Sequence, residues 1–308
     1  MLRVLIFVSI AAVFTCYSLS AVSADGPRRI IYANDMGADI DDAFALVFAL
    51  NSPELQIDCI INSFGRTPTK GKITARLLEV AGRQDIPNII GRVTEDRPQR
   101  FYGGMFRWVE GYEYTKPPVT DGWRALARRI LNAPGTVTVL SVGPLTDIAD
   151  LLQNEPRVKD KIDEIIMMGG TIDYGYPDRI EHNVGCDPNA TQIVFASGLP
   201  IVMLGFDVTH MMQPDKEDME RLAATDKPLA RAVHELFLAW GRHTPTMYDA
   251  VAIAVAIERN IVTFEPMRIH VTDEGYTRKV EGEPNALVGV DVDKDRFFKL
   301  FWERVMKN

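Results

Sequence analysis

Residues 30–46, IIYANDMGADIDDAFAL, carry the clearest fold signal in this sequence. It opens with the apolar run 30–33, continues through an acidic loop, and ends in apolar residues at helical spacing after Asp42. A short buried strand that leads through a loop into a helix is the first half of a βαβ unit. The stretch therefore predicts a parallel α/β sheet with a polar ligand site at the end of its first strand.

The same alternation continues along the chain. Short apolar runs rich in β-branched residues predict strands at 29–33, 57–61, 136–141, 164–168, 200–205 and 267–271. Patterns of helical length predict helices at 41–50, 73–81, 123–132, 145–153, 190–197 and 229–240. This alternation is typical of an open, mostly parallel sheet with helices on both faces, as in Rossmann-like folds. No Pro- or Ser-rich linker divides residues 25–308, so we predict a single α/β domain there.

Composition excludes several classes of protein. Of the 308 residues, 46% are hydrophobic, which is too many for a disordered chain. Charged residues make up 25% and occur throughout, which excludes a multipass membrane protein. The formal net charge of −8 argues against a nucleic-acid partner, because binding of nucleic acid uses clustered Lys and Arg. The acidic balance suits a hydrolase that holds a cation or a neutral polar substrate.

Residues 1–24 have the features of a signal peptide. Arg3 provides a positive start, 4–14 is an apolar run broken only by Ser9, and residues 22–24 (VSA) form a small-residue cleavage site. The apolar run is short for a bilayer span, which takes about 20 residues. An uncleaved N-terminal anchor is the alternative. We expect an exported protein, periplasmic or secreted, with no stable membrane span after processing.

Four carboxylates lie within eight residues in the loop after the first predicted strand, namely Asp35, Asp39, Asp41 and Asp42. Helix N-termini favour acids, so capping by Asp39 or Asp41 explains one or two of them. The remaining acids would repel one another without a counter-charge. A hard cation with oxygen ligands supplies that charge, and Ca²⁺ is favoured over zinc because no His or Cys accompanies the acids.

At this loop the chain resembles the inosine-uridine nucleoside N-ribohydrolases. Residues 34–43 look like the N-terminal signature of that family, in the variant with two extra residues before the paired aspartates. Further motifs follow in the family's order, at 143–149 (GPLTDIA), 167–170 (MMGG), 181–183 (EHN) with 187–188, 205–210 (GFDVTH), 248–250 (YDA), 285–286, 291–293 and Phe297. Together they cover nearly all of the chain after the leader.

The resemblance implies a tightly bound Ca²⁺ and a set of ligands for it. Asp35 and Asp42 match side-chain ligands, Thr146 matches a residue that offers its main-chain carbonyl, and Asp249 matches a ligand near the C-terminus. Asp35 also matches the general base that activates the attacking water. Read alone, Thr146 has a simpler explanation as the cap of a helix that begins at Asp147.

The resemblance also implies the substrate contacts. Asp41, Glu181 and Asn183 match residues that hold the ribose hydroxyls, although Glu181 taken alone reads equally as a surface acid before a turn. Tyr248 replaces a histidine that often precedes the last metal ligand and can help the leaving base, so we assign it a catalytic role.

Three further positions depart from the family pattern. Ala33 stands where the family usually has the first aspartate of its opening motif, and Arg66 stands where an asparagine near the metal is common. Around Gly175 and Tyr176, an asparagine that would contact the 5′ hydroxyl is missing. These changes spare the implied metal ligands and alter the residues that face the substrate.

The implied activity is calcium-dependent hydrolysis of the N-glycosidic bond of a nucleoside or another N-riboside, which releases ribose and a free base. Whether the protein forms a homo-oligomer is left open. A non-catalytic exported riboside-binding protein with the same fold is the alternative, suggested by the leader and the altered substrate contacts. A metal-dependent phosphatase is disfavoured, because the Asp-x-Asp expected after the strand is replaced by Ala33, Asn34 and Asp35.

Overall fold

Nine strands form one sheet in the part of the chain that the computed structural model describes, which comprises residues 26–37, 39–95, 104–172 and 178–307. The strands are β1 (Arg28–Asn34), β2 (Leu55–Asn62), β3 (Asn88–Ile90), β4 (Val137–Ser141), β5 (Ile162–Met168), β6 (Ile201–Leu204), β7 (Val262–Val271), β8 (Thr277–Val280) and β9 (Ala286–Val292). Their order across the sheet is β3-β2-β1-β4-β5-β6-β9-β7-β8. All neighbours from β3 to β9 pair in parallel, whereas β7 is antiparallel to both β9 and β8.

Helices connect the strands. They are α1 (Asp41–Leu50), α2 (Thr67–Val80), α3 (Gly104–Arg107), α4 (Gly122–Leu131), α5 (Thr146–Asn154), α6 (His182–Cys186), α7 (Pro188–Phe195), α8 (Phe206–Thr209), α9 (Lys216–Ala223), α10 (Pro228–Trp240), α11 (Tyr248–Ile257) and α12 (Lys294–Val305), with 3₁₀ turns at Pro156–Lys161 and Arg259–Ile261. Within the described residues, none of these helices combines the length and the apolar character that a membrane span needs. The expected leader, residues 1–24, lies outside the described residues.

The sheet is buried on both faces, as the sequence predicts. Side chains along β1 alternate between two apolar clusters, because successive residues of a strand point to opposite faces. Ile30 and Tyr32 join the cluster formed with α1, α10, α11 and α12, while Ile31 and Ala33 join the one formed with α4, α5 and α7. Burial of each large apolar side chain in these clusters contributes roughly 1.5–3 kcal/mol. The predicted single sheet with helices on both faces is confirmed.

The strand order places a ligand crevice at the centre of the sheet. Chain connections run outward from β1 through β2 to β3, and then in the opposite direction through β4, β5 and β6. The order 3-2-1-4-5-6 is that of the doubly wound dinucleotide-binding fold. Loops after β1 and β4 diverge to opposite faces, which opens a crevice at the carboxyl ends of these strands. The acidic loop begins there, directly after Asn34.

Candidate active site

A pocket of about 430 Å³ opens at the carboxyl ends of the central strands. Its walls come from residues at or after the ends of β1, β4, β5 and β6 and from the N-terminal ends of α1, α6 and α11. It is lined by Asp35, Asp39, Asp41, Asp42, Val142, Met168, Arg179, Ile180, Glu181, His182, Asn183, Phe206, Arg242, Tyr248 and Asp249. Seven of the eight predicted site residues are therefore brought together, and the eighth, Thr146, is not.

The acidic loop folds back on itself so that its first and last acids meet. Asn34 Oδ1 accepts a hydrogen bond from the main-chain N–H of Met36 at 3.0 Å, which turns the chain directly after β1. Gly37 has a φ of +96°, and a Cβ there would lie 2.6 Å from Phe106, so only glycine fits. The N–H of Asp35 then donates to Asp42 Oδ1 at 3.1 Å.

Three carboxylates form the floor of the pocket. Oxygens of Asp41, Asp42 and Asp249 lie within 4.8 Å of one another, and all three residues are buried. Asp41 and Asp42 begin α1 and Asp249 stands in the first turn of α11, so two helix N-termini converge on the floor. Burial, followed by repulsion from the neighbouring acids, raises the pKa of all three carboxyls well above the usual range. The donor set, all oxygen and strongly acidic, fits a hard divalent cation.

Lys70 supplies a positive charge beside this floor, and the sequence does not predict it. Its side chain is fully buried, its Nζ donates to the main-chain oxygen of Asp35 at 2.9 Å, and the same nitrogen lies 3.4 Å from Asp35 Oδ2. Lys70 belongs to the first turn of α2, where the helix dipole disfavours a cation. Burial of an ammonium group is also costly. The acids therefore hold Lys70 in place as their built-in counter-charge.

Glu181 and Asn183 are fixed by hydrogen bonds around the start of α6. The Glu181 carboxylate accepts from the N–H groups of Asn183, Val184 and Gly170 at 2.9–3.1 Å. The Asn183 amide donates to the main-chain oxygens of Val142 (2.8 Å) and Met168 (3.1 Å). Glu181 is thus a helix cap buried in the pocket wall rather than a surface acid. Both side chains are held rigidly, which suits groups that orient a polar ligand.

Tyr248 lines the pocket next to the floor residue Asp249. It is the first residue of α11, and its ring stacks on Phe206 with 6.0 Å between ring centroids. Burial and the charges of Asp41 and Asp39 raise the pKa of the phenol, which therefore remains protonated and able to donate a hydrogen bond.

Thr146 lies away from the pocket, which corrects its expected place beside the metal. It is the first residue of α5, fully buried, and its hydroxyl donates to Asp187 Oδ2 at 2.7 Å. Residues 142–145 separate it from the end of β4. Val142, the residue directly after β4, lines the pocket instead, and its main-chain oxygen faces Asn183. A main-chain ligand from this segment would therefore come from Val142.

Two of the positions that depart from the family pattern lie outside the pocket or outside the described residues. Arg66 is exposed at the start of α2, and its guanidinium carbon lies 4.6 Å from the centroid of the Phe106 ring. Gly175 and Tyr176 belong to the segment that is not described.

A sequence model of the family described as inosine-uridine preferring nucleoside hydrolase matches residues 30–299, most of the chain. The chain belongs to this family. Among curated members, it is 33% identical over 294 residues to the pyrimidine-specific ribonucleoside hydrolase RihA of Citrobacter koseri. The aligned region covers 86% of this chain and 94% of that protein. RihA of Escherichia coli O7:K1 is also 33% identical, with the same coverage.

Solved structures of nucleoside hydrolases have the same fold. A plant nucleoside hydrolase, PpNRh1, superposes with a TM-score of 0.80 at 27% identity and covers 92% of this chain and 100% of its own. A purine-preferring ribonucleoside hydrolase from Gardnerella vaginalis superposes with a TM-score of 0.78 at 20% identity, covering 91% and 98%. At the latter identity the likeness concerns the fold alone.

Proposed function

We propose that this nucleoside hydrolase family member cleaves the N-glycosidic bond of ribonucleosides, with water as the nucleophile, and releases ribose and a free base. The observation that carries the proposal is the buried floor of Asp41, Asp42 and Asp249 beside Asp35, at the carboxyl ends of β1 and β4. The family membership supports the reaction class. The curated relatives are named as pyrimidine-specific, so uridine and cytidine are the first substrates to test.

The donor set suits Ca²⁺, which Asp35, Asp42, Asp249 and the main-chain oxygen of Val142 would hold. When bound, Ca²⁺ supplies a Lewis acid that orders hydroxyl groups and makes water more acidic. The transition state of N-riboside cleavage has oxocarbenium character and is cationic at the sugar. An acidic floor stabilises such a charge electrostatically, and it is already in place before the substrate binds.

Each remaining role follows from the position of a side chain. Asp35 lines the pocket with a carboxylate oxygen that can accept the proton of the attacking water. Asp41, Glu181 and Asn183 would hold the ribose hydroxyls, since they line the same pocket and the latter two are fixed by hydrogen bonds. The protonated phenol of Tyr248 would donate to the departing base.

Calcium titration and turnover test the proposal together. The purified chain is stripped with chelator, titrated with Ca²⁺ by calorimetry, and then assayed for reducing sugar with uridine, cytidine, inosine, adenosine and guanosine. We expect saturable calcium binding and turnover of at least one nucleoside that requires it. Calcium binding without turnover of any N-riboside would contradict the proposed hydrolase activity and favour a riboside-binding protein.

Removal of calcium should make stability depend strongly on pH. Burial and mutual repulsion raise the pKa of Asp41, Asp42 and Asp249 well above the usual range, and burial raises that of Asp39 to about 6. The calcium-free protein therefore binds protons on folding, and this proton uptake stabilises the folded state at low pH. The stabilisation is lost as the pH rises through the raised pKa values. Calcium binds the deprotonated acids, so its effect on Tm should be larger at about pH 8 than at about pH 5.5. Thermal melts with Ca²⁺ and with chelator measure both. An equal effect at the two pH values would contradict the assignment of Asp42 and Asp249 to the cation.

Tyr248→Phe should lower kcat by about 10²-fold on a nucleoside, because the leaving base loses a proton donor. The same variant should lose little activity on p-nitrophenyl riboside, whose leaving group needs no protonation. Tyr248→His, in contrast, should keep a donor and mainly change the preference among bases. Steady-state kinetics of both variants on both substrates measure this, and equal losses on the two substrates would argue against a proton-donating role.

We further propose that residues 1–24 are a removable leader and that the mature, exported protein begins at Asp25. The support is the charged start, the short apolar run and the small-residue site of the sequence. Intact mass of the protein recovered from its native host should correspond to residues 25–308. A mass that includes residues 1–24 would instead indicate an uncleaved anchor.

A further inference from the structure

The two ends of the pocket carry opposite charge. The buried floor and Asp35 are acidic, whereas three cationic or titratable side chains, Arg179, His182 and Arg242, line the pocket from exposed positions. We call these three residues the pocket mouth. Asp39, half-buried, lines the same pocket, and the neighbouring Arg242 and His182 oppose the rise of its pKa, which places both residues near it.

Arg179 stacks on an aromatic ring of the pocket lining. Its guanidinium carbon lies 3.5 Å from the centroid of Phe206, and Phe206 in turn stacks on Tyr248. When the flat face of a guanidinium stacks on a ring, its N–H groups still point outward in the plane of the group. In that plane they can donate to two oxygens of a carboxylate or a phosphate. The stack also places this charge beside the residue that we assign to the leaving base.

Arg242 reaches the same opening from a different segment. The helix α10 ends at Trp240, and Gly241 follows with a φ of +79°, the left-handed conformation of a helix C-cap. This reversal brings Arg242 to the pocket, with its guanidinium carbon 5.3 Å from the centroid of the Trp240 ring. Two arginines from separate loops thus converge on one opening.

The hydrolysis itself does not call for these cations. A positive charge near an oxocarbenium-like sugar opposes its formation, and the floor acids already have Lys70 and the proposed Ca²⁺ as counter-charges. Asp39 offsets part of the charge of Arg242. An anionic group of the substrate, placed away from the anomeric carbon, would pair with the remaining positive charge at the mouth. Arg–carboxylate and Arg–phosphate pairs are the strong, oriented interactions of such sites.

We propose that the pocket mouth binds an anionic group of the substrate, so that the preferred N-riboside carries a carboxylate on its base or a phosphate at its 5′ position. This inference rests on the proposed function, of which it specifies the substrate class. Arg179 and Arg242 are its specificity-determining residues, and they leave the chemistry at Asp35 unchanged.

Three matched substrates test the inference. Orotidine is uridine with a carboxylate on the base, and uridine 5′-monophosphate is uridine with a phosphate on the sugar. We expect the calcium-loaded wild-type protein to have a higher kcat/KM for one of these two than for uridine, and the favoured one identifies the anion. In Arg179→Gln and Arg242→Gln, the ratio of kcat/KM for that substrate to kcat/KM for uridine should fall roughly tenfold or more. Arg231→Gln is the control, because Arg231 is exposed on α10 and outside the pocket lining.

The outcomes separate the two proposals. Turnover of uridine with no preference for either anionic substrate, or equal ratios in all three variants, would overturn the anion site and leave the proposed hydrolase standing. If no N-riboside is cleaved, the proposed function fails, and calorimetry with orotate and with uridine 5′-monophosphate still decides the anion site. Binding that weakens in Arg179→Gln and Arg242→Gln, but not in Arg231→Gln, supports it, and absence of binding contradicts it.

Discussion

Asp35→Asn should lower kcat by roughly 10²–10⁴-fold, the range lost when a general base is removed. The amide keeps the size of the carboxylate and the main-chain contacts of the residue, namely the N–H to Asp42 and the carbonyl to Lys70. It cannot accept the proton of the attacking water. We also expect weaker calcium binding, because one anionic ligand becomes neutral.

Steady-state kinetics and calcium titration on the same preparations measure the two effects. Asp226→Asn is the matched control, since Asp226 is exposed and lies outside the pocket lining. Retention of wild-type kcat by Asp35→Asn at saturating calcium would remove Asp35 from the role of base.

Lys70→Met should lower the free energy of unfolding of the calcium-free protein by about 3–5 kcal/mol, the usual loss when one partner of a buried ion pair is removed. Methionine fills a similar volume, so the loss would come from the uncompensated acids rather than from a cavity. Calcium should restore part of the stability, because it provides the missing positive charge.

Urea denaturation with Ca²⁺ and with chelator measures this effect. Lys72→Met is the control on the same helix, because Lys72 is half-buried and donates to the main-chain oxygen of Tyr112 at 2.8 Å. Removal of this hydrogen bond should lower the free energy of unfolding by about 1 kcal/mol, both with Ca²⁺ and with chelator. Equal losses in the two variants, or no dependence on calcium for Lys70→Met, would contradict the counter-charge role of Lys70.

The parts of the fold that the sequence predicts are those with a clear local signal. All six predicted strands and all six predicted helices are present, with ends displaced by several residues in places, since apolar runs with polar ends mark buried strands. The predictions do not include the strands β3, β8 and β9 or the helices α3, α6, α8, α9, α11 and α12. Nearly every residue of α11 is buried, so it has no polar face to produce a helical period.

The candidate site was predictable where acids cluster in sequence and where motifs resemble the family. Asp35, Asp41, Asp42, Glu181, Asn183, Tyr248 and Asp249 all line the pocket. The motif at 143–149 does not show which main-chain carbonyl faces the pocket, because it passes from the loop after β4 into α5 within a few residues. The end of β4 in the structure shows that Val142, rather than Thr146, lines the pocket. Lys70 and Arg179 carry no local signal, since a lysine in a helix and an arginine in a loop usually lie in solvent.

Product stoichiometry tests whether the acidic pocket cleaves N-ribosides with water. Uridine, or the anionic riboside that the protein prefers, is incubated with the calcium-loaded wild-type protein and with Asp35→Asn, and base and free ribose are quantified by chromatography. We predict equimolar base and ribose from the wild type and almost none from the variant. Absence of free ribose from every riboside tested, or equal release by both proteins, would contradict hydrolysis of N-ribosides with Asp35 as the base.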